Sequence, residues 1–140
     1  MEKARNLFAQ ALEADPTHAA TIEICSKLSL LDLGEAASPS TLSESVHTFG
    51  DISVRVLADP RKAGRIVGVL WESAPCLVRW LLEDPERMDT YIKDKRVLEL
   101  GAGLGLVGTA LAKLGARHVT LTDLPQQLTL LRRNLEANFG

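Results

Sequence analysis

Three glycines that follow a short apolar run are the residues of this sequence whose types and spacing best fit ligand chemistry. The segment Arg96–Gly108 reads RVLELGAGLGLVG, and apolar residues at helical spacing follow it. A strand, a glycine turn and a helix in that order form the nucleotide-binding corner of an α/β sheet. Gly101, Gly103 and Gly105 would allow a tight turn with a ligand lying against bare backbone. The unpaired N–H groups at the start of the helix would face that ligand.

Two carboxylates restrict the kind of ligand that this corner can hold. Glu99 lies two residues before Gly101, where it would repel a pyrophosphate but not a cationic group such as an amine or a sulfonium. Asp123 ends the next apolar run, roughly twenty residues past the glycines, where an acid can accept hydrogen bonds from ribose hydroxyls. The spacing therefore predicts a nucleoside-type cofactor on a βαβ unit. Because G-x-G-x-x-G alone also fits a dinucleotide, an NAD-type oxidoreductase remains an alternative.

A longer stretch around these residues resembles a known family. Residues 97–138, VLELGAGLGLVGTALAKLGARHVTLTDLPQQLTLLRRNLEAN, resemble the S-adenosylmethionine site of the seven-strand protein-lysine methyltransferases of lysine methyltransferase family 16. The resemblance continues upstream through GVLWESAPCLVRWL and covers about Val46 to Gly140. It implies an α/β chain that forms the front part of a Rossmann-like methyltransferase fold. It also implies S-adenosyl-L-methionine as the cofactor and a protein lysine as the methyl acceptor.

The resemblance also implies which residues contact the cofactor. They are Trp71, Glu99, Gly101, Ala102, Gly103 and Asp123. Some of them have simpler interpretations, since Glu99 and Asp123 could cap the helices that follow them, and a tryptophan before an amphipathic helix is usually core. We expect Gly108 to allow close packing of helix and strand rather than to touch a ligand, and we expect Trp80 to lie in the core.

The sequence assigns no catalytic residue and no metal site. Methyl transfer to an amine is an in-line displacement in which the cofactor carries the reactive group. A lysine must first lose its proton, and its ordinary pKa is about 10.4. In the resembled family the groups that orient the amine lie in later strands. The three histidines share no metal-ligand spacing with acids or cysteines; they are His18, His47 and His118.

Composition limits the class of protein. The 140 residues carry a formal net charge of −2 without a basic stripe, so we expect no nucleic-acid partner. Apolar runs are too short to span a membrane, and the N-terminal MEKARNLF is too charged for a signal peptide. Cys25 and Cys76 stand far apart, as is typical of reduced thiols. We expect a cytoplasmic protein, with the nucleus as the alternative, whose partner is a protein substrate.

The N-terminal third predicts a separate element. Residues 1–34 are predicted to form a helical hairpin similar to a tetratricopeptide unit, whose second helix carries Ala20, Ile24 and Leu28 on one face. We expect this hairpin to offer a further protein contact. Residues 35–45 are small, polar and interrupted by Pro39, and are predicted to be a linker. Residues 46–140 would then be the N-terminal part of the methyltransferase domain.

Within that domain, alternation around Ile52–Val56 predicts a strand after a turn at Gly50 and Asp51, with Ile66–Leu70 returning as its partner. Ser73 is predicted to cap the next helix, and further helices are predicted after the glycines and from Pro125.

Two parallel strands cannot complete a covered sheet. We therefore expect a chain truncated after the second core strand and its helix, which alone methylates no protein. A non-enzymatic adaptor with a residual cofactor fold is the remaining alternative.

Overall fold

A computed structural model describes residues 41–62 and 68–140 together with the backbone of residues 21–25. The strands are β1 (Thr21–Cys25), β2 (Ser43–Phe49), β3 (Ile52–Ala58), β4 (Arg96–Leu100) and β5 (His118–Thr122). The helices are α1 (Ser73–Leu82), α2 (Pro85–Tyr91), α3 (Leu106–Lys113) and α4 (Pro125–Phe139), with a short 3-10 turn at Pro60–Lys62. Helices α3 and α4 begin where the sequence predicted them.

A parallel sheet of order β1-β5-β4 positions the glycine segment. Strands β4 and β5 run in parallel register with Glu99 opposite Leu121, which confirms the predicted βαβ arrangement. Val119 and Leu121 are fully buried on one face of this sheet. On β4, Leu98 and Leu100 are 62% and 76% exposed on the other face.

The predicted helical hairpin is wrong over Thr21–Cys25, which is a strand paired in parallel with β5. Its sequence TIEIC alternates β-branched residues, which favour a pleated strand, and the pairing satisfies the backbone of the second edge of β5. The rest of the predicted hairpin and residues 35–40 of the predicted linker lie outside the described residues. Ser43–Ser45, assigned to the linker, belong to β2.

A β-hairpin precedes α1, but with a different partner from the one expected. Strand β3 was predicted, and it pairs with β2 in antiparallel register from Ser43 opposite Ala58 to Phe49 opposite Ile52. Gly50, at φ +57°, closes a tight turn between adjacent strands. The predicted return strand Ile66–Leu70 is wrong in its described part, because Gly68–Leu70 is not a strand.

Two asparagines of α4 hold the hairpin by its backbone. Asn134 Oδ1 accepts the Leu57 N–H at 2.6 Å, and Asn134 Nδ2 donates to the Leu57 carbonyl at 3.0 Å. Asn138 makes the same pair of bonds to Arg55, at 2.9 and 2.7 Å. Four residues of helix rise about 6 Å and two residues of strand about 6.8 Å, so the two elements are nearly in step. This contact was not predicted, although the spacing NLEAN of residues 134–138 places both asparagines on one helix face.

Helix α1 departs from the sequence analysis at two positions. Ser73 is its first residue, and the capping residue is Glu72 without a side-chain hydrogen bond, so the predicted Ser73 cap is wrong. Trp80 is 46% exposed rather than core, because Val78 and Leu81 take the buried face of the helix. The Arg87 guanidinium lies 4.3 Å from the centroid of the Trp80 ring. Within the described part of the chain, no helix is long and apolar enough to cross a membrane.

Candidate functional site

The loop between β4 and α3 runs through three glycines with left-handed backbone. Their φ angles are +67° at Gly101, +58° at Gly103 and +78° at Gly105. A Cβ built on Gly101 or Gly103 would meet no atom of the described residues within 4 Å. These two glycines are therefore required by the backbone conformation, and the space beside them is open to a ligand. Ala102 is buried, and its N–H donates to the Thr122 carbonyl at 2.9 Å, which ties the loop to the end of β5.

Asp123 fastens the same loop from the end of β5. Its Oδ2 accepts the Gly103 N–H at 2.5 Å, and its Oδ1 accepts the Leu124 N–H at 2.6 Å. A carboxylate offers about four lone-pair sites, so two of them stay available for donors such as hydroxyl groups. The structure thus brings Asp123 to the glycine loop, and its predicted contact with ribose hydroxyls stays a prediction.

Glu99 caps α3 from the neighbouring strand. The N-cap residue of this helix is Gly105, which provides no side-chain hydrogen bond. Glu99 Oε2 instead accepts the N–H of Gly108, the third helical residue, at 2.8 Å. A carboxylate at a helix N-terminus is stabilising because it faces unpaired N–H groups. The capping role considered for Glu99 is therefore confirmed, whereas its ligand contact stays a prediction.

Gly108 fits the packing role expected for it. A Cβ at this position would overlap the fully buried Leu121 and lie 2.7 Å from Glu99 Oε2. Any larger residue would therefore displace the Leu121 side chain or the capping carboxylate.

The site carries two acidic side chains, and within the described part of the chain neither of them is paired with a cation. Burial raises the pKa of the Glu99 carboxyl to about 7; the Gly108 N–H lowers it and the nearby Asp123 charge raises it further. None of the ion pairs found among the described residues includes Glu99 or Asp123. Two carboxylates without a cation beside them favour a positively charged ligand and oppose a pyrophosphate.

Trp71 lies two residues before α1 and is 57% exposed. The usual interpretation of such a tryptophan as core is therefore wrong, and its contact with a cofactor stays a prediction. The other five predicted residues meet where β4 and β5 end. That is the edge at which open α/β sheets bind ligands.

Sequence reasoning missed the hydrogen bonds that hold this edge together. The Thr122 hydroxyl donates to the Glu99 carbonyl at 2.9 Å, joining the ends of β4 and β5. In the sequence, this bond is indicated only by the position of Thr122 at a strand end, directly before Asp123. Among the described residues, no cluster of histidine, cysteine or acidic side chains could hold a metal.

A family model described as lysine methyltransferase matches residues 53–139, from β3 to the end of α4. The chain belongs to the lysine methyltransferase family. Relatives agree with this membership. Over 109 residues the chain is 35% identical to EEF1A lysine methyltransferase 3 of Xenopus tropicalis, which covers 78% of the chain and 46% of that protein. Over 97 residues it is 38% identical to protein N-lysine methyltransferase METTL21A of Danio rerio, covering 69% of the chain and 42% of that protein.

A third relative matches a shorter part of the chain. The chain is 43% identical over 70 residues to protein-lysine methyltransferase METTL21E of Bos taurus, covering 50% of the chain and 23% of that protein. The chain thus spans less than half the length of these curated relatives. Within the lysine methyltransferase family, the matched residues include the glycine loop, both carboxylates and the two asparagines that hold the hairpin.

Proposed function

We propose that this chain carries the S-adenosylmethionine site of a protein-lysine methyltransferase. The observation that carries the proposal is the pair of carboxylates, Glu99 and Asp123, fastened to an open glycine loop without a counter-charge in the described residues. In a member of the lysine methyltransferase family, the ligand that fits such an edge is a nucleoside with a cationic side chain. S-adenosylmethionine combines ribose hydroxyls, an ammonium and a sulfonium.

Each residue of the site has a distinct task in this proposal. Asp123 uses its remaining lone pairs to accept the ribose hydroxyls while it still holds the Gly103 N–H. Glu99 faces the cationic end of the ligand with the carboxylate that also caps α3. Gly101 leaves the backbone bare on the side where the ligand lies, and buried Ala102 fixes the loop to β5. Trp71 covers the bound ligand with an apolar ring.

S-adenosylmethionine supplies an activated methyl group when bound. The residues described here bind and orient it, and they exclude an anionic competitor by charge. The amine of a lysine must lose a proton before it can attack, because its ordinary pKa is about 10.4. No described residue is assigned to that proton transfer.

An NAD-type dinucleotide is the competing ligand, and the structure gives a reason against it. Its pyrophosphate would lie against the N-terminus of α3, where the Glu99 carboxylate already occupies the Gly108 N–H. Displacing that carboxylate would leave it half-buried without its donor, which costs about 1–3 kcal/mol or more for a charged group.

The test is calorimetric titration of the complete gene product with S-adenosylmethionine. Asp123→Ala should weaken binding at least tenfold, because each lost charge-assisted hydrogen bond is worth roughly 1.5–3 kcal/mol. Asp123→Asn keeps one oxygen that can accept the Gly103 N–H and hold the glycine loop in place. This variant therefore separates the effect of losing the ribose contact from the effect of releasing the loop. We expect an affinity between those of the wild type and the alanine variant.

Asp51→Ala is the matched control, since it removes the same charge from the exposed hairpin turn. It should leave the affinity within about threefold of wild type, as expected for an exposed charge far from the site. Equal affinities of wild type and Asp123→Ala, or tighter binding of NAD than of S-adenosylmethionine, would refute the proposed site.

The lysine acceptor is supported by the family and by the names of the relatives. The Xenopus relative is named for EEF1A, which makes that protein the first acceptor to assay. We propose incubating the complete gene product with labelled S-adenosylmethionine and EEF1A, then locating the label by mass spectrometry. Label on lysine supports the proposal, and label confined to other residue types contradicts it.

A further inference from the structure

Within the described part of the chain, no strand pairs with the outer edge of β2. The contacts of β3 show which residues of β2 have outward-facing backbone groups. On β3, the backbone groups of Ser53, Arg55 and Leu57 bond to side chains of α3 and α4. The backbone N–H and C=O groups of these residues therefore point away from β2. In an antiparallel ladder, residues opposite one another point their N–H and C=O groups both inward or both outward.

The register of the hairpin shows which residues of β2 have outward-facing backbone groups. Thr48, Val46 and Glu44 lie opposite Ser53, Arg55 and Leu57 respectively. Their N–H and C=O groups must point to the outer side of β2. Among the described residues, no hydrogen bond or bridge reaches them there.

The two outer edges of this hairpin differ in the side chains that contact them. The β3 edge is closed by Asn134 and Asn138 and by Lys113, whose Nζ donates to the Ser53 carbonyl at 2.8 Å. Native proteins protect open edges with lysine, proline or a bulge. Strand β2, of sequence SESVHTF, has no lysine or proline and pairs without a bulge over seven residues.

Exposed apolar surface and charge placement also mark this edge. Val46, at the middle of the outward-facing set, is 61% exposed. The one charged side chain of the strand, Glu44, is drawn back across the hairpin, where its Oε1 lies 3.0 Å from Arg55 Nε. The centre of the edge is therefore left without a charge that would repel another strand.

We propose that the outer edge of β2 pairs with the same edge of a second copy of this chain, in antiparallel register about Val46. In that register Val46 of one copy lies opposite Val46 of the other, and Glu44 lies opposite Thr48. The pairing places no like charges face to face, and it joins the two exposed valines. Since the same patch serves both copies, the contact closes as a two-fold dimer and does not extend into a fibre.

The size of the edge sets the strength of the contact. Three outward-facing residues on each copy can exchange six hydrogen bonds, each of modest net worth. One strand pair buries much less than the roughly 1,000 Å² that a stable interface requires. The dimer is therefore weak and reversible, with a dissociation constant between about 10 µM and 1 mM.

Cysteine cross-linking tests the register. Val46→Cys should form a disulfide between two copies under mild oxidation, because Cα atoms of a hydrogen-bonded pair are about 5.5 Å apart, within the range that disulfides span. Glu44→Cys is the matched control. In the proposed register the two introduced cysteines, one in each copy, would lie four residues apart along the strands, roughly 13 Å. Both variants are made with Cys25→Ser and Cys76→Ser, because Cys76 is a free exposed thiol.

Sedimentation equilibrium from about 5 to 500 µM tests the pairing itself. Val46→Pro removes an outward N–H without touching the bonds to β3, as edge positions allow, and should weaken the dimer at least tenfold. Val46→Thr keeps the N–H and should stay within about threefold of wild type. Circular dichroism must show that both variants keep the wild-type fold.

Two results would overturn the inference. One is a chain that stays monomeric over the whole concentration range. The other is a Val46→Cys variant that cross-links no faster than Glu44→Cys. Binding of an added extended peptide by a chain that stays monomeric would assign the edge to a different protein and would equally refute the second copy.

Discussion

Replacing Glu99 by glutamine should stabilise the protein at neutral pH while weakening its ligand site. In the folded protein, burial is the main reason that the pKa of this carboxyl rises from its ordinary 4.5 to about 7. Glutamine has the same shape, and its carbonyl oxygen can still accept the Gly108 N–H that caps α3. It carries no charge, so it avoids both the cost of burial and the repulsion from Asp123.

The sign and size of the effect follow from proton linkage. Because the folded pKa is the higher one, the folded state keeps the Glu99 proton between about pH 4.5 and 7 while the unfolded chain loses it. Stability from this group is fully present below pH 4.5 and lost as the pH rises through 7. A shift from 4.5 to about 7 corresponds to about 3 kcal/mol in the free energy of unfolding. Glu99→Gln should therefore match wild type near pH 4 and exceed it by up to about 3 kcal/mol at pH 8.

Urea unfolding at a series of pH values measures this difference, with the fluorescence of Trp71 and Trp80 as the signal. Glu136→Gln is the matched control, because it removes the same charge from an exposed position of α4. The difference in free energy of unfolding between Glu136→Gln and wild type should not change by more than about 0.5 kcal/mol between pH 4 and 8. A Glu99→Gln variant that is no more stable than wild type at pH 8 would refute the reasoning. In a parallel titration this variant should also bind S-adenosylmethionine at least tenfold more weakly, since the cation loses its counter-charge.

Further predictions concern the contacts that hold the hairpin and the site. Asn134→Leu should lower the free energy of unfolding by about 1–3 kcal/mol in urea, because it leaves the partly buried backbone of Leu57 without its hydrogen-bond partner. Asn138→Leu should cost less, about 0.5–1.5 kcal/mol, since water can reach Arg55, and equal costs would contradict this account. Gly108→Ala should weaken S-adenosylmethionine binding several-fold in calorimetry, because the added Cβ displaces Glu99 Oε2; unchanged affinity would argue against a ligand contact by Glu99.

The glycine corner could be predicted from sequence because its determinants are local. A left-handed backbone needs glycine at Gly101 and Gly103, and the apolar runs on either side fix the strand and the helix. The same holds for α4, which starts at Pro125 as predicted. Residues close in sequence decide each of these features, and the cofactor-binding role proposed for them comes from the family resemblance.

Features decided by distant parts of the chain were harder to predict. Ala20, Ile24 and Leu28 fit a helical stripe locally, but the structure pairs Thr21–Cys25 with β5, almost a hundred residues away. The short-range spacing of apolar residues does not indicate a strand partner at that distance. Trp80 fits the apolar stripe of α1, yet Arg87 from the next helix stacks over it on the outer surface. The asparagine contacts to β3 depend on how α4 lies along the hairpin, which periodicity does not specify.

The two carboxylates at the glycine loop set the stability of the folded chain against binding of the proposed cationic ligand. Glu99 and Asp123 are each fastened by backbone N–H groups, so neither can move away from the other to relieve their repulsion. A free protein can reduce that repulsion only by protonating Glu99, which is what its raised pKa expresses. A bound cation would remove the repulsion instead and favour the ionised carboxylate. Ligand binding near neutral pH should therefore release a proton, and titrations in buffers of different ionisation enthalpy would measure it. Binding without proton release at pH 7 would show that the cationic end of the ligand lies away from Glu99.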